Sequence, residues 1–416
     1  MHIAFVMNAA HGGRGGMEQV LQTISRELRA RGHVCTLHAI LPFCHHEFTL
    51  SFSDTYISMA VPRLLRRSSR WRPRALYRHF ARQATVDILS HLAQRPPDII
   101  MWVDLDSHSL RAADLLARFR HQCPHTRLIA YPHNRIETTL QRHPSLARQF
   151  LQTVDAALAI SSGTAAALRQ IAPPDFPVIT IYNPIPTASP VPRPESETRF
   201  VYIGRMDKNK RIIELLTVLS RLRGRWRCDF IGSATTRTYQ SRIEETIQRY
   251  GLQHHVRLHG WQQDPWSTLS CASVTLLHSR SEGLPLVLME SIMRGIPCVA
   301  ADCPTGPADI IQDGQNGWLY PLNAEHQLAQ ILQEIIDGTR PLPASETVRA
   351  TAERFETDTI ITRLTDTWEH MRYSSTPPRK LIPCFVYIST HKKELLRAPF
   401  MLPVCCACRR PWATVG

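Results

Sequence analysis

The chain of 416 residues has no run of about 18 or more apolar residues, so a membrane-spanning helix is not expected. Its first apolar stretch, Ile3 to Met7, is short, has no basic lead-in and breaks at once into glycines, which argues against a secretory leader. No lysine occurs in residues 1–183, where 21 arginines face 12 acids, and no acid stands between Asp54 and Asp87. The eleven cysteines, Cys35, Cys44, Cys123, Cys228, Cys271, Cys298 and Cys303 among them, lack metal-ligand spacing. Several lie in apolar runs, which suggests reduced packing residues of a cytosolic protein.

A hydrophobic content of 43% with 20% charged residues is ordinary for a soluble globular chain. The length exceeds what one compact core usually holds, so two domains are expected. The net charge of +14 is unevenly placed: +9 in residues 1–183, −1 in 184–372 and +6 from 373 onward. The front half is expected to meet something anionic.

Short β-like runs alternate with amphipathic helical patterns, which predicts α/β lobes with doubly wound parallel sheets. The front strands are read at His2 to Met7, Val34 to Ile40, Asp98 to Val103, Arg127 to Tyr131, Ala156 to Ile160 and Val178 to Ile181. Asn183 to Thr198 holds five prolines, which fit neither a helix nor a central strand, and reads as an interdomain linker. The alternation then restarts with Arg199 to Ile203, Arg227 to Ile231, Val256 to Leu258, Val274 to Leu277 and Pro297 to Ala300. The expected division is residues 1–183 and 184–372, two Rossmann-like domains facing across a cleft, the last helix packing back on the first domain. Residues 373–416 form an irregular basic tail with Cys405, Cys406 and Cys408. A zinc site of Cys384, His391 and that cluster is disfavoured because Cys-Cys-x-Cys is not structural-zinc spacing.

Between Glu282 and Glu290 the chain reads Glu-Gly-Leu-Pro-Leu-Val-Leu-Met-Glu. Gly283 suits a sharp bend, Pro285 a first helical position, and Leu286 to Met289 an apolar helix start. Glu282 is thereby left in a loop that feeds a helix N-terminus, a seat for a diphosphate, with Glu290 placed for a ribose diol. Two glutamates eight apart also occur by chance in helical proteins. The continuation favours the site, because Ser291 to Asp302 reads as a helix closed by Gly295 and then a buried strand, and ligands of α/β sheets sit beyond the strands' carboxyl ends.

Two further turns follow strands. Gly12-Gly13-Arg14-Gly15-Gly16-Met17-Glu18 leads into a helix from Glu18 to Ala30 and allows close backbone approach, although it lacks the pattern G-x-G-x-x-G and such turns also serve packing. Gly204-Arg205-Met206-Asp207-Lys208-Asn209-Lys210-Arg211 supplies Arg205 and Lys210 to neutralise a departing diphosphate, or is a solvated basic turn. His133, just past a strand, is placed to hydrogen-bond a sugar hydroxyl. Asp104-Leu105-Asp106 admits a metal reading, disfavoured because Arg205 and Lys210 already provide positive charge.

These segments, with Leu158-Ala159-Ile160-Ser161-Ser162-Gly163, Tyr182-Asn183-Pro184, Gly260-Trp261 and the stretch from Glu282 to Tyr320, resemble the family 4 retaining glycosyltransferases of the GT-B fold. The likeness runs from residue 1 to about 372 and is strongest toward members that build lipopolysaccharide. Its acid, seven residues, acid signature is matched by Glu282 and Glu290. Leu284 and Pro285 depart from the family, where Phe-Gly is common.

The resemblance implies a UDP-hexose donor, UDP-galactose first, and a lipopolysaccharide core acceptor, with no metal cofactor. It implies that Glu282 contacts donor-sugar hydroxyls and Glu290 the ribose. Gly15 and Gly16 would lie by the diphosphate, and Gly283, Leu284 and Leu286 would line the donor site. Arg205 and Lys210 would bind phosphate, and His133 would touch the transferred sugar. A same-face displacement that retains configuration then needs no protein nucleophile. The competing readings are a nucleotide-sugar epimerase on the same fold and a non-catalytic nucleotide- or carbohydrate-binding protein.

Arg63, Arg66, Arg67, Arg70, Arg72, Arg74, Arg78 and Arg82, interleaved with Leu64, Leu65, Trp71, Leu76 and Phe80, read as broken amphipathic helices interrupted at Pro73. Such a segment suits an anionic inner-membrane surface, which implies a cytoplasmic, peripheral protein. Half of these arginines at about 1 kcal/mol each would supply roughly 4 kcal/mol. The alternative is a solvated basic face. Nucleic acid is not expected as a partner, because no stacking platform or known module accompanies the charge.

Overall fold

The structure is a computed structural model that describes residues 1–8, 15–39, 51–57, 74–133 and 136–373. Gly12 to Arg14, Asn134, Arg63 to Pro73 and the cysteine-bearing tail lie outside the described residues.

Two parallel sheets carry the described chain. The first holds β1 (His2–Met7), β2 (Val34–Ala39), β3 (Asp54–Ile57), β4 (Ile99–Trp102), β5 (Arg127–Ala130), β6 (Ala156–Ala159) and β7 (Val178–Thr180) in the order 3-2-1-4-5-6-7. The second holds β8 (Thr198–Ile203), β9 (Trp226–Ile231), β10 (Val256–Gly260), β11 (Val274–Leu277), β12 (Cys298–Asp302) and β13 (Gly317–Pro321) in the order 10-9-8-11-12-13. Each sheet starts at an inner strand, winds outward to one edge, then crosses back and winds to the other. The expected α/β architecture of two Rossmann-like lobes, the GT-B arrangement, is therefore present.

Strands β4, β6 and β11 are buried along their whole length, as covered parallel strands must be, which is why they read as unbroken apolar runs. Helix α1 (Gly16–Ala30) buries Val20, Leu21, Ile24 and Leu28, one face at helical spacing. Two strands were not expected from sequence, β3 and β13. Both are edge strands, and their residues, Asp-Thr-Tyr-Ile and Gly-Trp-Leu-Tyr-Pro, carry no strong period. Pairing with β2 and β12 makes them strands.

The chain crosses between lobes twice, and the crossings are bonded to each other. Ile185 N donates to Phe355 O at 2.9 Å, and Thr357 N donates to Ile185 O at 3.2 Å. After the second crossing the last described helix, Thr357–Tyr373, packs against α1, with Ile361, Leu364 and Trp368 buried in one apolar cluster with Leu21, Leu288 and Met289. Arg127 of β5 donates to the carbonyl of Met371 at 3.0 Å.

Candidate functional site

Strands β8 and β11 are neighbours, yet the chain leaves them for opposite edges of the sheet, so a crevice opens beyond Ile203 and Leu277. Two loops enter it. In the first, Asp207 Oδ1 accepts from the backbone N–H groups of Asn209 (2.9 Å) and Lys210 (3.1 Å), while Arg205 Nε donates to its other oxygen at 2.9 Å. The second loop is tied to the first: Asn209 Nδ2 donates to Ser281 O (2.9 Å), and Ser281 Oγ donates to Asn209 Oδ1 (3.0 Å).

This splint brings Lys210 to Glu282, with Nζ 2.6 Å from Oε1 and side chains only 17% and 12% exposed. Arg205 lies on the outer side, 71% exposed. Tyr202, whose hydroxyl donates to Arg205 O at 2.8 Å, has its phenol held well above the usual range by burial and then by the negative charges of Glu282 and Asp207.

The loop after Glu282 differs from the sequence expectation in two details. Gly283 has no positive φ; the left-handed bend falls instead at Gly306, with φ 95°. What Gly283 supplies is room, since a Cβ there would stand 3.3 Å from Ile160 Cδ1 and 3.7 Å from the His133 carbonyl oxygen, both in the first lobe. Pro285 is the N-cap, extended at φ −72° and ψ 104°, rather than the first helical residue. The helix itself, Leu286–Met293, buries Leu288 and Met289 and leaves Leu286 and Val287 half-buried. Leu284 is buried in the cluster shared with the first lobe.

Glu290 points its Oε2 at Trp266 Nε1, which donates at 2.9 Å, and Arg294 lies over the indole at 4.6 Å. Burial pushes the Glu290 carboxyl above its ordinary value, opposed by the Trp266 hydrogen bond and the Arg294 charge. Trp266 was not legible as a site residue, because it stands 24 residues earlier on a different loop. Asp207 and Asn209 were within reach of sequence reasoning, lying in the same turn as Arg205 and Lys210.

On the first lobe Gly15 caps α1 and Gly16 begins it. Glu18 folds its carboxylate back over Gly15, where a Cβ would collide with it, and Leu286 from the opposite lobe stands 3.1 Å from the Cβ position of Gly16. The starts of α1 and of the Leu286–Met293 helix therefore meet across the gap. His133 is fixed by its N–H on the carbonyl of Val103 at 3.1 Å and by edge contact with Tyr131 at 4.3 Å. Its buried Nε2 has no hydrogen-bond partner among the described residues. Burial lowers the imidazole pKa to about 3, so the ring is neutral at physiological pH.

Asp104 and Asp106 have structural duties. Asp104 Oδ2 accepts from Asn8 N at 2.8 Å, and Asp106 Oδ1 accepts from His108 N and Ser109 N at 2.9 and 2.8 Å. Among the described residues no group of three or more His, Cys, Asp or Glu side chains is arranged to hold a metal ion. Of the basic stretch, Arg74–Gln94 forms a helix beginning directly after Pro73. Along it Phe80 packs against the core, and Arg82 is paired with Asp114 at the surface, Nη1 to Oδ1 at 3.0 Å. No helix among the described residues is long and apolar enough to cross a membrane.

The arrangement gathers a cation, a carboxylate and two helix starts at one interlobe gap, with the backbone of His133 close by, a geometry that suits an activated anionic substrate. Known proteins place it. Residues 14–189 match the model described as Glycosyltransferase Family 4, and residues 187–353 the model described as Glycosyl transferases group 1. The chain is 29% identical over 363 residues to lipopolysaccharide 1,6-galactosyltransferase of Escherichia coli (strain K12), covering 81% of this chain and 90% of that protein.

Among solved structures, the apo form of the lipopolysaccharide outer core galactosyltransferase WaaB superposes with a TM-score of 0.72 at 24% identity, over 89% of this chain and all of that one. Anabaena Alr3699/HepE in complex with UDP superposes with a TM-score of 0.70 at 19% identity, over the same shares. With the two adjoining models accounting for residues 14–353 and both lobes in this arrangement, the chain belongs to the group 1 glycosyltransferases of the GT-B fold, with a family 4 front domain.

Proposed function

We propose that this glycosyltransferase moves a hexose, galactose from UDP-galactose, onto a lipopolysaccharide core acceptor with retention of configuration and without a metal. The observation that carries the reading is the Lys210–Glu282 pair at the carboxyl ends of β8 and β11, next to Gly283, which lies against the His133 carbonyl of the other lobe. The Escherichia coli relative is named for galactose transfer to lipopolysaccharide, and the HepE structure holds UDP, which supports donor and acceptor class.

In this reading Lys210 and Arg205 neutralise the diphosphate as the bond from the anomeric carbon to the phosphate oxygen breaks, and Glu282 orients the sugar by its hydroxyls. The acceptor hydroxyl attacks from the same face, and its proton passes to the departing phosphate oxygen, so UDP leaves and no protein nucleophile is needed. Glu290 holds the ribose. Neutral His133 accepts or donates a single hydrogen bond at the transferred sugar.

The assay is incubation with a panel of UDP-sugars and truncated core acceptors, the product read by mass and NMR. Transfer of galactose with retained anomeric configuration is expected; transfer of another sugar, an inverted product, or UDP-sugar interconversion without acceptor overturns the reading. Activity is expected to persist in EDTA. The front-lobe arginines hold the enzyme on an anionic cytoplasmic membrane face in this reading. Charge reversal at Arg66, Arg67, Arg70 and Arg74 should then abolish pelleting with anionic vesicles, and unchanged pelleting removes the membrane role.

A further inference from the structure

The segment from Pro304 to Asp309 holds two things at once. Toward the acid loop, Thr305 Oγ1 donates to the carbonyl of Glu282, and Gly306 lies so close that a Cβ there would stand 2.6 Å from Pro285 Cδ and 2.9 Å from Gly283 O. Toward the first lobe, Gly163 rests on the same segment, its Cβ position 2.6 Å from Thr305 Cγ2 and 2.7 Å from Pro304 O. Asp309, 8% exposed, then accepts three hydrogen bonds from first-lobe groups. Ser162 N donates to Oδ1 at 2.9 Å, Ser162 Oγ to Oδ2 at 3.0 Å, and the Tyr182 hydroxyl to Oδ1 at 3.1 Å.

We propose that Asp309 is a positioning residue for sugar transfer: its carboxylate latches the first lobe, at the start of the Ser162–Ile171 helix, onto the segment that holds the Glu282 loop. The proposal rests on the sugar-transfer reading of this gap. A carboxylate fits the task because the Ser162 backbone N–H, at the positive end of a ten-residue helix, has no acceptor within that helix, and charge-assisted bonds of this kind are strong and directional. Separation of the lobes would break all three bonds and release the hold on Gly163, leaving Glu282 attached only to its own lobe. Approach of the lobes and placement of the acid are thereby one event.

The test compares wild type with Asp309→Ala, with Ser162→Ala/Tyr182→Phe, and with the three changes combined. Each is read by kcat with donor and acceptor, by calorimetric UDP affinity, and by hydrogen exchange of the Ser162 amide. Asp309→Ala is expected to lower kcat on the order of 100-fold, as a misplaced reacting group does. UDP affinity, a property of the second lobe, should stay near wild type, and the Ser162 amide should exchange faster. The front-side pair should lose on the order of tenfold, and adding it to Asp309→Ala should cost nothing more, because partners in one contact are not additive.

Wild-type kcat in Asp309→Ala, or losses that multiply in the combination, overturns the latch. If Asp309→Ala does not fold, the front-side pair decides, and an unchanged kcat overturns the latch. If wild type itself transfers no sugar, it is the functional reading that fails. Amide exchange then still judges the contact, and equal Ser162 protection in wild type and Asp309→Ala overturns it.

Discussion

Lys210 Nζ lies 2.6 Å from Glu282 Oε1, a contact between residues 72 apart in sequence, made at the carboxyl ends of two neighbouring strands. Both side chains are largely withdrawn from water. The pair therefore fixes one charge of each sign at the gap, because each side chain holds the other in place.

Removing one partner should be worse than removing both. Lys210→Met leaves a largely buried carboxylate without its cation and should cost about 3 kcal/mol of unfolding free energy. Lys210→Met/Glu282→Gln should recover most of that in urea melts. Neither variant should transfer sugar, and Glu282→Ala, which strands the Lys210 ammonium in the same way, should lower kcat roughly 100- to 1000-fold and also lower the melting temperature.

Gly163 gives a test in which stability and activity move apart. Alanine there suits the helix by about 1 kcal/mol but drives its Cβ into the Pro304 carbonyl of the opposite lobe. We expect Gly163→Ala to keep its melting temperature and lose turnover, with a larger radius of gyration by solution scattering.

Trp266→Phe deletes a single indole N–H donor to Glu290. Glu290 already has its carboxyl raised by burial, so loss of that bond should raise it further and cost about 1.5–3 kcal/mol of support for the charged form. UDP affinity, measured calorimetrically across pH, should weaken most on the acid side, and restoring neutral to mildly alkaline pH should recover part of it.

Acid should destabilise the fold before its carboxylates protonate. Burial lowers the His38 pKa to about 3, helped by His91 and His2, and lowers that of His278 to about 4, helped by Arg211 and opposed by Glu325. Below pH about 6.5 the unfolded chain binds protons at these rings while the folded chain does not, so stability falls with falling pH. Each ring contributes about 1.4 kcal/mol per pH unit until its folded pKa is reached. Denaturant melts between pH 7.5 and 4.5 should show that slope, and His278→Gln should reduce it.

The legible parts of this molecule were those whose physics is local. Strands β1 and β11 were placed to the residue, because an apolar run between turn residues has one reading in a covered parallel sheet. The turn 204–211 and the loop at Glu282 were recognisable because each follows such a strand. Edge strands β3 and β13 were not, since a partner strand rather than their own residues makes them extended. Nor was Arg82 legible as a paired side chain, because Asp114 reaches it from another helix.

Sequence alone thus determined two α/β lobes, the order of their strands' loops along the chain, and the acid spacing from Glu282 to Glu290. Those follow from side-chain period, glycine and proline placement, and chain continuity. Only the tertiary structure decided that Lys210 serves Glu282, that Trp266 serves Glu290 and that Asp309 reaches across to Ser162. These pairings depend on the winding of two sheets and on how closely glycines let the lobes approach, and no local preference of the chain encodes a distance between residues so far apart.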